Sequence, residues 1–397
     1  MKNFMFNIPT QIVFGKETEM QIGGLVRARG GKKVMILCGH SQKDSPLLNR
    51  ITVSLDEAGI SHFCQADVKP NPMLSDIERR IDTAIAEKAD FILAVGGGSV
   101  IDTAKAVGVG AASPEIPFEE FVTKHFPIAK TLPVGVVLTI AAAGSETSMS
   151  CMITLDKNEL HTKGAIAGPA IRPVFAVMNP EATYTLPKFQ LACGVADIMM
   201  HTMDRYFTKV DGNELTDVLA EGIIRVAAEN GARAMQKERD YDSLSEIMWC
   251  GSLSHNGLTN LGRPMDFSVH QLGNSFSGIY PCATHGAVMA ILWPVWARKV
   301  YQEDTARFAR FARNVWNVTE LDDDAAALAG IAAVQNYFVQ TLALPKSLHA
   351  LGVQATAADL KEIAWSITGN DTRKIGLFKP LTAQDAFEIF QCAYDAE

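Results

Sequence analysis

The chain has 397 residues, of which 48% are hydrophobic and 20% are charged. That length predicts two domains or one large α/β unit with an appended half, and that composition excludes a disordered or collagen-like chain. The net charge of −8 comes without a run of basic residues, which argues against nucleic acid as a partner. The seven cysteines are odd in number and form no CxxC pair. They therefore favour a reducing cytoplasm over a disulfide framework.

The first 180 residues alternate short β-branched apolar runs with amphipathic stretches. The apolar runs are typical of parallel strands buried on both faces, and the amphipathic stretches are long enough for crossover helices. This half therefore predicts a doubly wound α/β domain with a parallel sheet. The expected strands are residues 34–38, 91–95, 134–139 and 174–178, and the expected helices include residues 47–58 and 74–87.

A glycine turn at residues 96–99 separates one of these strands from a helix start. Three glycines let backbone N–H groups approach a phosphate, and the helix start adds the positive end of its dipole. The run lacks the third glycine of a GxGxxG fingerprint, because Ile101 stands there, and it lacks the GK[ST] of a Walker loop. It therefore favours a pyrophosphate site, and the alternative is a tight βα turn whose glycines serve geometry alone.

A second loop of small residues and hydroxyls follows the expected strand at residues 134–139. Its position after a strand makes it a candidate wall of a cofactor cleft. An ordinary capped helix start at Ser145 is the alternative.

From Pro187 onward, the pattern changes to long stretches rich in Ala, Leu and Met with helical spacing. Strand candidates largely disappear, which predicts an all-α second domain. Two prolines and a polar Thr-Tyr-Thr run interrupt both patterns between Asn179 and Pro187. We therefore expect one domain at residues 1–182 and another at residues 183–397.

Asp197 and His201 lie four residues apart in a helical pattern, so both side chains project from one face. His270 and His285 fall in the same half of a chain that has only nine histidines. One carboxylate with three imidazoles suits Fe²⁺ or Zn²⁺ better than Ca²⁺ or Mg²⁺. The alternative is an Asp–His ion pair with two unrelated core histidines, and His255 rivals either distant position.

The N-terminal residues 1–9 contain one basic residue and no apolar run of signal-peptide length. We therefore expect them to belong to the mature protein. The longest apolar stretches, residues 134–143 and 287–296, are shorter than the roughly 18 residues that a membrane span needs. The sequence predicts no membrane partner.

These segments together resemble the iron-dependent, or group III, alcohol dehydrogenases, in the branch of the butanol dehydrogenases and NADPH-dependent aldehyde reductases. The similarity spans nearly the whole chain. Its matches, in order, are residues 9–16, 70–72, 96–105, 144–146, 184–187, 197–201, 269–272, 284–286 and 293–294. The resemblance implies a dinucleotide-binding α/β domain followed by an all-α domain, which is the architecture of dehydroquinate synthase.

The resemblance also implies the site residues. Asp197, His201, His270 and His285 would bind one divalent metal ion, Fe²⁺ or Zn²⁺. The residues that would contact NADP(H) or NAD(H) are Asn71, Gly96, Gly97, Gly98, Ser99, Asp102, Thr139 and Lys163. The implied reaction is hydride transfer between this cofactor and a primary alcohol or aldehyde, such as butanol or butyraldehyde, in a cytoplasmic homodimer. Two alternatives are a lyase of the dehydroquinate synthase type and a degenerate metal-binding relative.

The chain departs from the family pattern in the expected pocket. A histidine usually stands four residues after the first distal ligand, where this chain has Asn274. We expect Asn274 and Asp102 to contribute to catalysis, with Asn274 donating hydrogen bonds without transferring a proton; the alternative is that Asn274 only fills space. The interval between the two distal histidines is one residue longer than usual, and Ala143 and Ser148 replace the usual Thr and Asn.

The turn after residues 34–38 predicts a preference for NADP(H) over NAD(H). It begins with Gly39 and contains no acidic residue up to Lys43, whereas NAD enzymes commonly place a carboxylate at such a point. Ser41 and Lys43 can donate a hydrogen bond and a charge to a 2′-phosphate. The alternative is a solvated loop, and Asp44 lies next to it.

Overall fold

The computed structural model describes residues 1–156, 162–210, 212–280 and 282–395. Its contacts divide the chain into a sheet unit, Asn7–Leu186, and a helical unit, which joins Met1–Phe6 to Pro187–Glu397. The division thus falls four residues after the expected boundary. Residues 1–6 were expected in the N-terminal domain but belong to the helical unit. They contact it through the Lys2 N–H, which donates to the Gly262 carbonyl at 2.8 Å.

Six parallel strands form the main sheet of the sheet unit. They are β1 (Gln11–Phe14), β2 (Lys33–Cys38), β3 (Ser61–Gln65), β4 (Phe91–Gly96), β5 (Val134–Leu138) and β8 (Phe175–Met178). Their order is β1-β8-β5-β4-β2-β3, and every neighbouring pair is parallel. Two further strands, β6 (Ser150–Leu155) and β7 (Thr162–Ala167), pair antiparallel in a separate sheet. The four expected strands are β2, β4, β5 and β8.

Five helices belong to the sheet unit: α1 (Ile22–Arg27), α2 (Pro46–Glu57), α3 (Leu74–Ala86), α4 (Gly98–Ala112) and α5 (Phe118–Thr123). The second of them begins where its sequence predicts, because the Ser45 hydroxyl caps the Leu48 N–H at 3.1 Å and Pro46 fills the first helical position. Its apolar face, including Ile51 and Leu55, packs against β2 and β4 in a fully buried core.

The connections of this sheet reverse direction between β2 and β4. The chain leaves β2 through α2 toward β3 at one edge, and it leaves β4 through α4 toward β5 on the other side. In open α/β sheets, ligands bind outside the carboxyl ends of strands at such a reversal. The topology therefore places a ligand site beside the turns that follow Cys38 and Gly96.

The helical unit is built around one long buried helix. This helix, α6 (Lys188–Tyr206), is buried continuously from Ala192 to Tyr206 and packs against four other α-helices, as expected for a helix with no solvent face. The remaining helices are α7 (Glu214–Gln236), α8 (Tyr241–His255), α9 (Ser268–Ile279), α10 (His285–Val300), α11 (Thr305–Trp316), α12 (Asp323–Asn336), α13 (Ala357–Ile367) and α14 (Ala383–Tyr394).

The two units confirm the predicted fold class, a parallel α/β domain with a helical domain. In the part of the chain that the structure describes, no helix combines the length and apolar character that a membrane crossing requires.

Candidate metal centre and dinucleotide loops

Three helices bring the predicted metal ligands to one place in the helical unit. Asp197 and His201 lie one turn apart on α6, His270 lies in the first turn of α9, and His285 is the first residue of α10. The first three are buried, whereas the His285 side chain is 28% exposed. The site thus has one side that is open to solvent.

A single carboxylate oxygen is the centre of this group. Asp197 Oδ1 lies 3.6 Å from His201 Nε2, 3.7 Å from His270 Nε2 and 3.6 Å from His285 Nε2. Ligand atoms of Asp197, His201 and His270 all lie within 4.8 Å of one another. The alternative of an isolated Asp–His pair with two unrelated histidines is therefore wrong.

These spacings fit a divalent metal ion. They are too long for hydrogen bonds, and Asp197 Oδ1 and His270 Nε2 have no hydrogen-bond partner although both are buried, which is rare for polar atoms. A tetrahedral zinc-type site with bonds of about 2.0–2.2 Å separates its ligand atoms by roughly 3.3–3.6 Å. The unpaired atoms and their separations therefore match what such an ion requires.

Asp204 supports the site from behind His270. Its Oδ2 lies 2.6 Å from His270 Nδ1, so the ring donates its Nδ1 proton there and leaves Nε2 with a lone pair toward Asp197. Asp204 was not among the predicted site residues. The pattern that could have found it is the i, i+4, i+7 spacing of Asp197, His201 and Asp204, which repeats on one helix face.

The pKa values of the two buried imidazoles shift in opposite directions. Burial and the neighbouring His270 hold the pKa of His201 well below its usual value, so this ring is neutral and ready to bind metal. Burial also disfavours a charge on His270, but the carboxylates of Asp204 and Asp197 outweigh it and raise its pKa.

His255, the rival ligand, lies beside the group. It ends α8 and stacks on the His201 ring, with centroids 4.2 Å apart and planes inclined by 24°. The Nε2 atoms around Asp197 Oδ1 come from the three predicted histidines, which favours His270 and His285 as the distal pair. Asn274 is half-buried on α9, one turn after His270. In the longer interval before His285, Pro281 lies outside the described residues.

The glycine turn (residues 96–99) lies at the carboxyl end of β4 and begins α4. Gly97 is the N-cap, so no side chain caps this helix. The N–H groups of Val100 and Ile101 donate to the Gly97 carbonyl at 3.0 and 3.1 Å, whereas those of Gly98 and Ser99 come before the first intrahelical bonds. A Cβ at Gly96 would lie 2.5 Å from the Val100 side chain, and one at Gly97 would lie 3.0 Å from Ile140 Cβ. A side chain at either position would require Val100 or Ile140 to move, so the turn favours glycine there, and its uncapped helix start fits a pyrophosphate.

The second predicted loop folds around a buried ammonium group. Five oxygen atoms lie within hydrogen-bond distance of the three N–H donors of Lys105 Nζ, at 2.7–3.1 Å: the carbonyl and hydroxyl oxygens of Ser145 and Ser148 and the Ser150 carbonyl. We call residues 145–150 the serine loop. No helix begins at Ser145, so the alternative of a capped helix there is wrong. Thr139, which follows β5, contacts the glycine turn, because its N–H donates to the Gly96 carbonyl at 3.1 Å.

Asp102 uses both carboxylate oxygens to hold the same region. Oδ1 accepts from the Ser145 hydroxyl at 2.6 Å, and Oδ2 accepts from the Met152 N–H at 2.9 Å. Burial raises its pKa, and the charges of Lys105 and Lys163 partly offset that effect. These contacts support a structural role for Asp102 beside the predicted cofactor residues. Lys163 itself lies on β7.

The turn predicted to bind the adenosine end of the cofactor follows β2, next to the glycine turn. We call residues 39–43 the cofactor turn; it contains Gly39, a short 3-10 helix, and Lys43. His40 Nδ1 lies 2.6 Å from Asp67 Oδ1. Asp67 was missed because it follows β3 rather than β2, and its φ of 68° lies in the left-handed region. Asn71 has a φ of 55° in the same stretch.

Comparison with known proteins links both halves of the chain to one family description. Residues 9–180 match "Iron-containing alcohol dehydrogenase", and residues 191–394 match "Fe-containing alcohol dehydrogenase family, C-terminal". The matched segments cover the glycine turn and all four predicted metal ligands.

Individual relatives are similar over nearly their full length. The NADH-dependent butanol dehydrogenase A of Clostridium acetobutylicum is 33% identical over 396 residues, which cover 99% of this chain and 100% of that protein. The NADPH-dependent aldehyde reductase YqhD of Escherichia coli is 32% identical over 361 residues, which cover 90% of this chain and 91% of that protein. The crystal structure of NADH-dependent butanol dehydrogenase A from Thermotoga maritima has a TM-score of 0.93 at 31% identity, covering 100% of this chain and 99% of that one.

Proposed function

This chain belongs to the iron-containing alcohol dehydrogenase family, and from that membership we propose that it reduces short aldehydes to primary alcohols with NADP(H) and a divalent metal. The observation that carries the proposal is the position of Asp197 Oδ1, 3.6–3.7 Å from three imidazole nitrogens. Butyraldehyde and butanol are the proposed substrate pair, supported by the names of the relatives.

Asp197, His201, His270 and His285 would hold the metal ion, which is Fe²⁺ or Zn²⁺ by its donor set. When bound, the metal supplies a Lewis acid and the dinucleotide supplies or accepts the hydride. Asp197 is the one anionic ligand of the four, so a divalent ion bound by it and three neutral rings would keep about one net positive charge. His270 is fixed in the required tautomer by Asp204 at 2.6 Å.

The preference for NADP(H) rests on the cofactor turn. Ser41 and Lys43 offer a hydroxyl and a positive charge to a 2′-phosphate, and no carboxylate follows β2 directly. Asp67 is an argument against this preference, because it brings a carboxylate to the cofactor turn, where its Oδ1 contacts His40. The relatives divide between the two cofactors, so the relative efficiency of NADPH and NADH must be measured.

The proposed assembly is a cytoplasmic homodimer. Phe4 and Met5 expose 52% and 93% of their surface, and β1 is an edge strand with an unpaired side. Apolar side chains and open strand edges are surfaces that a second copy can cover. All seven cysteines are free thiols, which supports a reducing compartment.

The proposal is tested with the purified chain loaded separately with Fe²⁺ and Zn²⁺. We expect butyraldehyde to drive NADPH oxidation, with a higher kcat/KM for NADPH than for NADH, and chelation to abolish turnover. Asp197→Ala is the matched variant, and its metal content and turnover should fall together. A metal-free protein with full activity, or a variant that keeps both metal and kcat, would contradict the metal centre.

A further inference from the structure

Two thiols lie in contact at the carboxyl end of the main sheet. Cys38 is the last residue of β2 and is buried, whereas Cys64 on β3 is exposed. Their sulfur atoms lie 3.7 Å apart. An exposed thiol can meet a soluble oxidant, and a buried thiol in contact with it can then complete a disulfide.

The surroundings make Cys64 the better nucleophile of the two. The hydrogen bond from Cys38 and the charges of Lys43 and Arg80 outweigh burial and lower the pKa of the Cys64 thiol, while the same contact and burial raise the pKa of Cys38. Because the thiolate is the reactive form, Cys64 reacts first.

We propose that peroxide oxidises Cys64 and Cys38 to a reversible disulfide that weakens dinucleotide binding; the weakening, but not the disulfide, rests on the proposed function. The Cys64 thiolate attacks hydrogen peroxide, forming a sulfenic acid and releasing hydroxide. The Cys38 thiol then attacks the Cys64 sulfur, the S–S bond forms, and the oxygen leaves as water with the thiol proton. A dithiol returns the two electrons and two protons.

Closing this bond has to move the ends of two strands. The register places Cys64 opposite Ile36, two residues before Cys38, so the bridge joins diagonal neighbours. With strands about 4.8 Å apart and a rise of about 3.3 Å per residue, their Cα atoms are roughly 8 Å apart, beyond the usual span of about 4.4–6.8 Å. β3 is an edge strand, so it has a neighbour on only one side and can shift.

The movement reaches the cofactor turn directly. The Cys38 carbonyl accepts from the Val68 N–H at 3.1 Å, and the next contact along the chain joins His40 to Asp67 at 2.6 Å. Drawing β2 and β3 together displaces both contacts and the residues between Gly39 and Lys43. We expect the Kd for NADPH to rise at least fivefold on oxidation.

The experiment uses the full-length, zinc-loaded protein, because zinc has no redox chemistry. Reduced protein is treated with hydrogen peroxide, quenched with catalase, and analysed by intact mass and peptide mapping. NADPH and NADH binding is measured by cofactor fluorescence before oxidation, after oxidation, and after dithiothreitol. The test variant is Cys64→Ser, and the matched control is Cys392→Ser, which changes an exposed cysteine outside the sheet unit.

We expect a loss of two mass units, a peptide linking Cys38 to Cys64, weaker NADPH binding, and full reversal by dithiothreitol. Cys64→Ser should show none of these changes, and Cys392→Ser should show all of them. Absence of the linked peptide overturns the disulfide, and a bridge that leaves Kd unchanged overturns its effect on binding. Reduced protein that binds neither dinucleotide contradicts the proposed function, while the mass measurement still decides the disulfide.

Discussion

Asp204 acts on the candidate metal centre only through His270. It lies behind the imidazole, accepts a hydrogen bond from Nδ1–H, and is itself almost fully buried. Carboxylates in this position orient the ring and raise its basicity toward the metal. Asp204 is therefore a positioning residue, and its loss should change metal affinity while the four ligand side chains remain in place.

The first prediction is that Asp204→Asn lowers metal affinity about 10- to 100-fold. The amide keeps the volume of the side chain but removes the charge that stabilises the proton on Nδ1. Competition with a chromophoric chelator measures the affinity. Glu221→Gln is the control, because Glu221 is also buried in the helical unit but accepts from Tyr206 and Arg310. Equal metal affinities in Asp204→Asn and the wild type would contradict the role.

The second prediction concerns Asn274, one helical turn after His270. An amide at this position offers hydrogen bonds but cannot take a proton near neutral pH. Asn274→His should therefore add an ionisation to the pH profile of kcat/KM near the usual histidine pKa of about 6.5. Metal content, measured on the same samples, checks that the ligands are intact. An unchanged pH profile and substrate range would show that residue 274 only fills space.

The sequence could predict site residues where their spacing places them on one face of a helix. It could not predict site residues whose contact depends on which elements lie side by side. The pair Asp197 and His201 was visible because both lie on one helix face, and the structure joins them to His270 and His285. The Asp67 contact with His40 was not visible, because it depends on which strand lies beside β2.

At the scale of elements, the serine loop depends on Lys105 of α4. Five oxygen atoms surround the buried ammonium group, and burial lowers its pKa. Residues 145–149 of the loop form no helix or strand, and Ser150 begins β6. The Lys105 side chain therefore supplies the hydrogen bonds that hold this segment in place.

We therefore predict that Lys105→Met lowers the free energy of unfolding by at least about 2 kcal/mol, since several buried oxygens lose their donor. The Kd for NADPH should rise as well, because the Ser145 hydroxyl of the serine loop bonds to Asp102 of α4, the helix that begins in the glycine turn. Denaturant unfolding and cofactor fluorescence measure the two effects. Lys130→Met is the control at a lysine whose side chain is 57% exposed. A variant with wild-type stability would contradict the anchoring role.

Three helical-unit segments meet at another buried charge. Asp217 of α7 pairs with Arg263 and with Arg307 of α11, and its side chain is 6% exposed. Burial alone would raise the pKa of Asp217, but the two guanidinium groups outweigh it and lower the pKa. The carboxylate is therefore charged more readily in the folded state than in the unfolded state.

Because the pKa of Asp217 is lower in the folded state than in the unfolded state, this carboxylate stabilises the fold in a way that depends on pH. A lowered folded pKa stabilises the fold above the unfolded value of about 3.9, and the contribution disappears as pH falls through the folded pKa. Asp217→Asn should cost about 3–5 kcal/mol at pH 7, because two buried cations lose their partner. The difference from wild type should shrink below about pH 4, as measured by urea unfolding from pH 7 to 3. A difference independent of pH would contradict this account.

The sequence pattern predicted the interior strands of the main sheet but not its edge strands. The four expected strands lie in the interior of the main sheet, where both faces are covered and the apolar run is continuous. The unpredicted β1 and β3 are the two edge strands, and their residues are largely half-buried or exposed. An edge strand needs no continuous apolar run, so its sequence does not distinguish it from a loop.

At the scale of the whole molecule, the chain starts in one unit and returns to it. Met1–Phe6 belongs to the helical unit, Asn7–Leu186 forms the sheet unit, and the chain re-enters the helical unit at Pro187. The sequence could not predict this, because six residues are too few to show a periodic pattern. Their contacts include Gly262, whose carbonyl accepts from the Lys2 N–H.

The last prediction is that deleting residues 1–6 destabilises the helical unit and leaves cofactor binding unchanged. All five tryptophans follow residue 187, so tryptophan fluorescence reports the unfolding of the helical unit alone. Each kcal/mol lost should lower the midpoint by roughly 2–4 °C for a unit of this size. Leu321→Ser is the control, because Leu321 also belongs to the helical unit and is 95% exposed. An unchanged tryptophan transition would show that these residues add nothing to the unit, and weaker NADPH binding would show that their effect extends to the sheet unit.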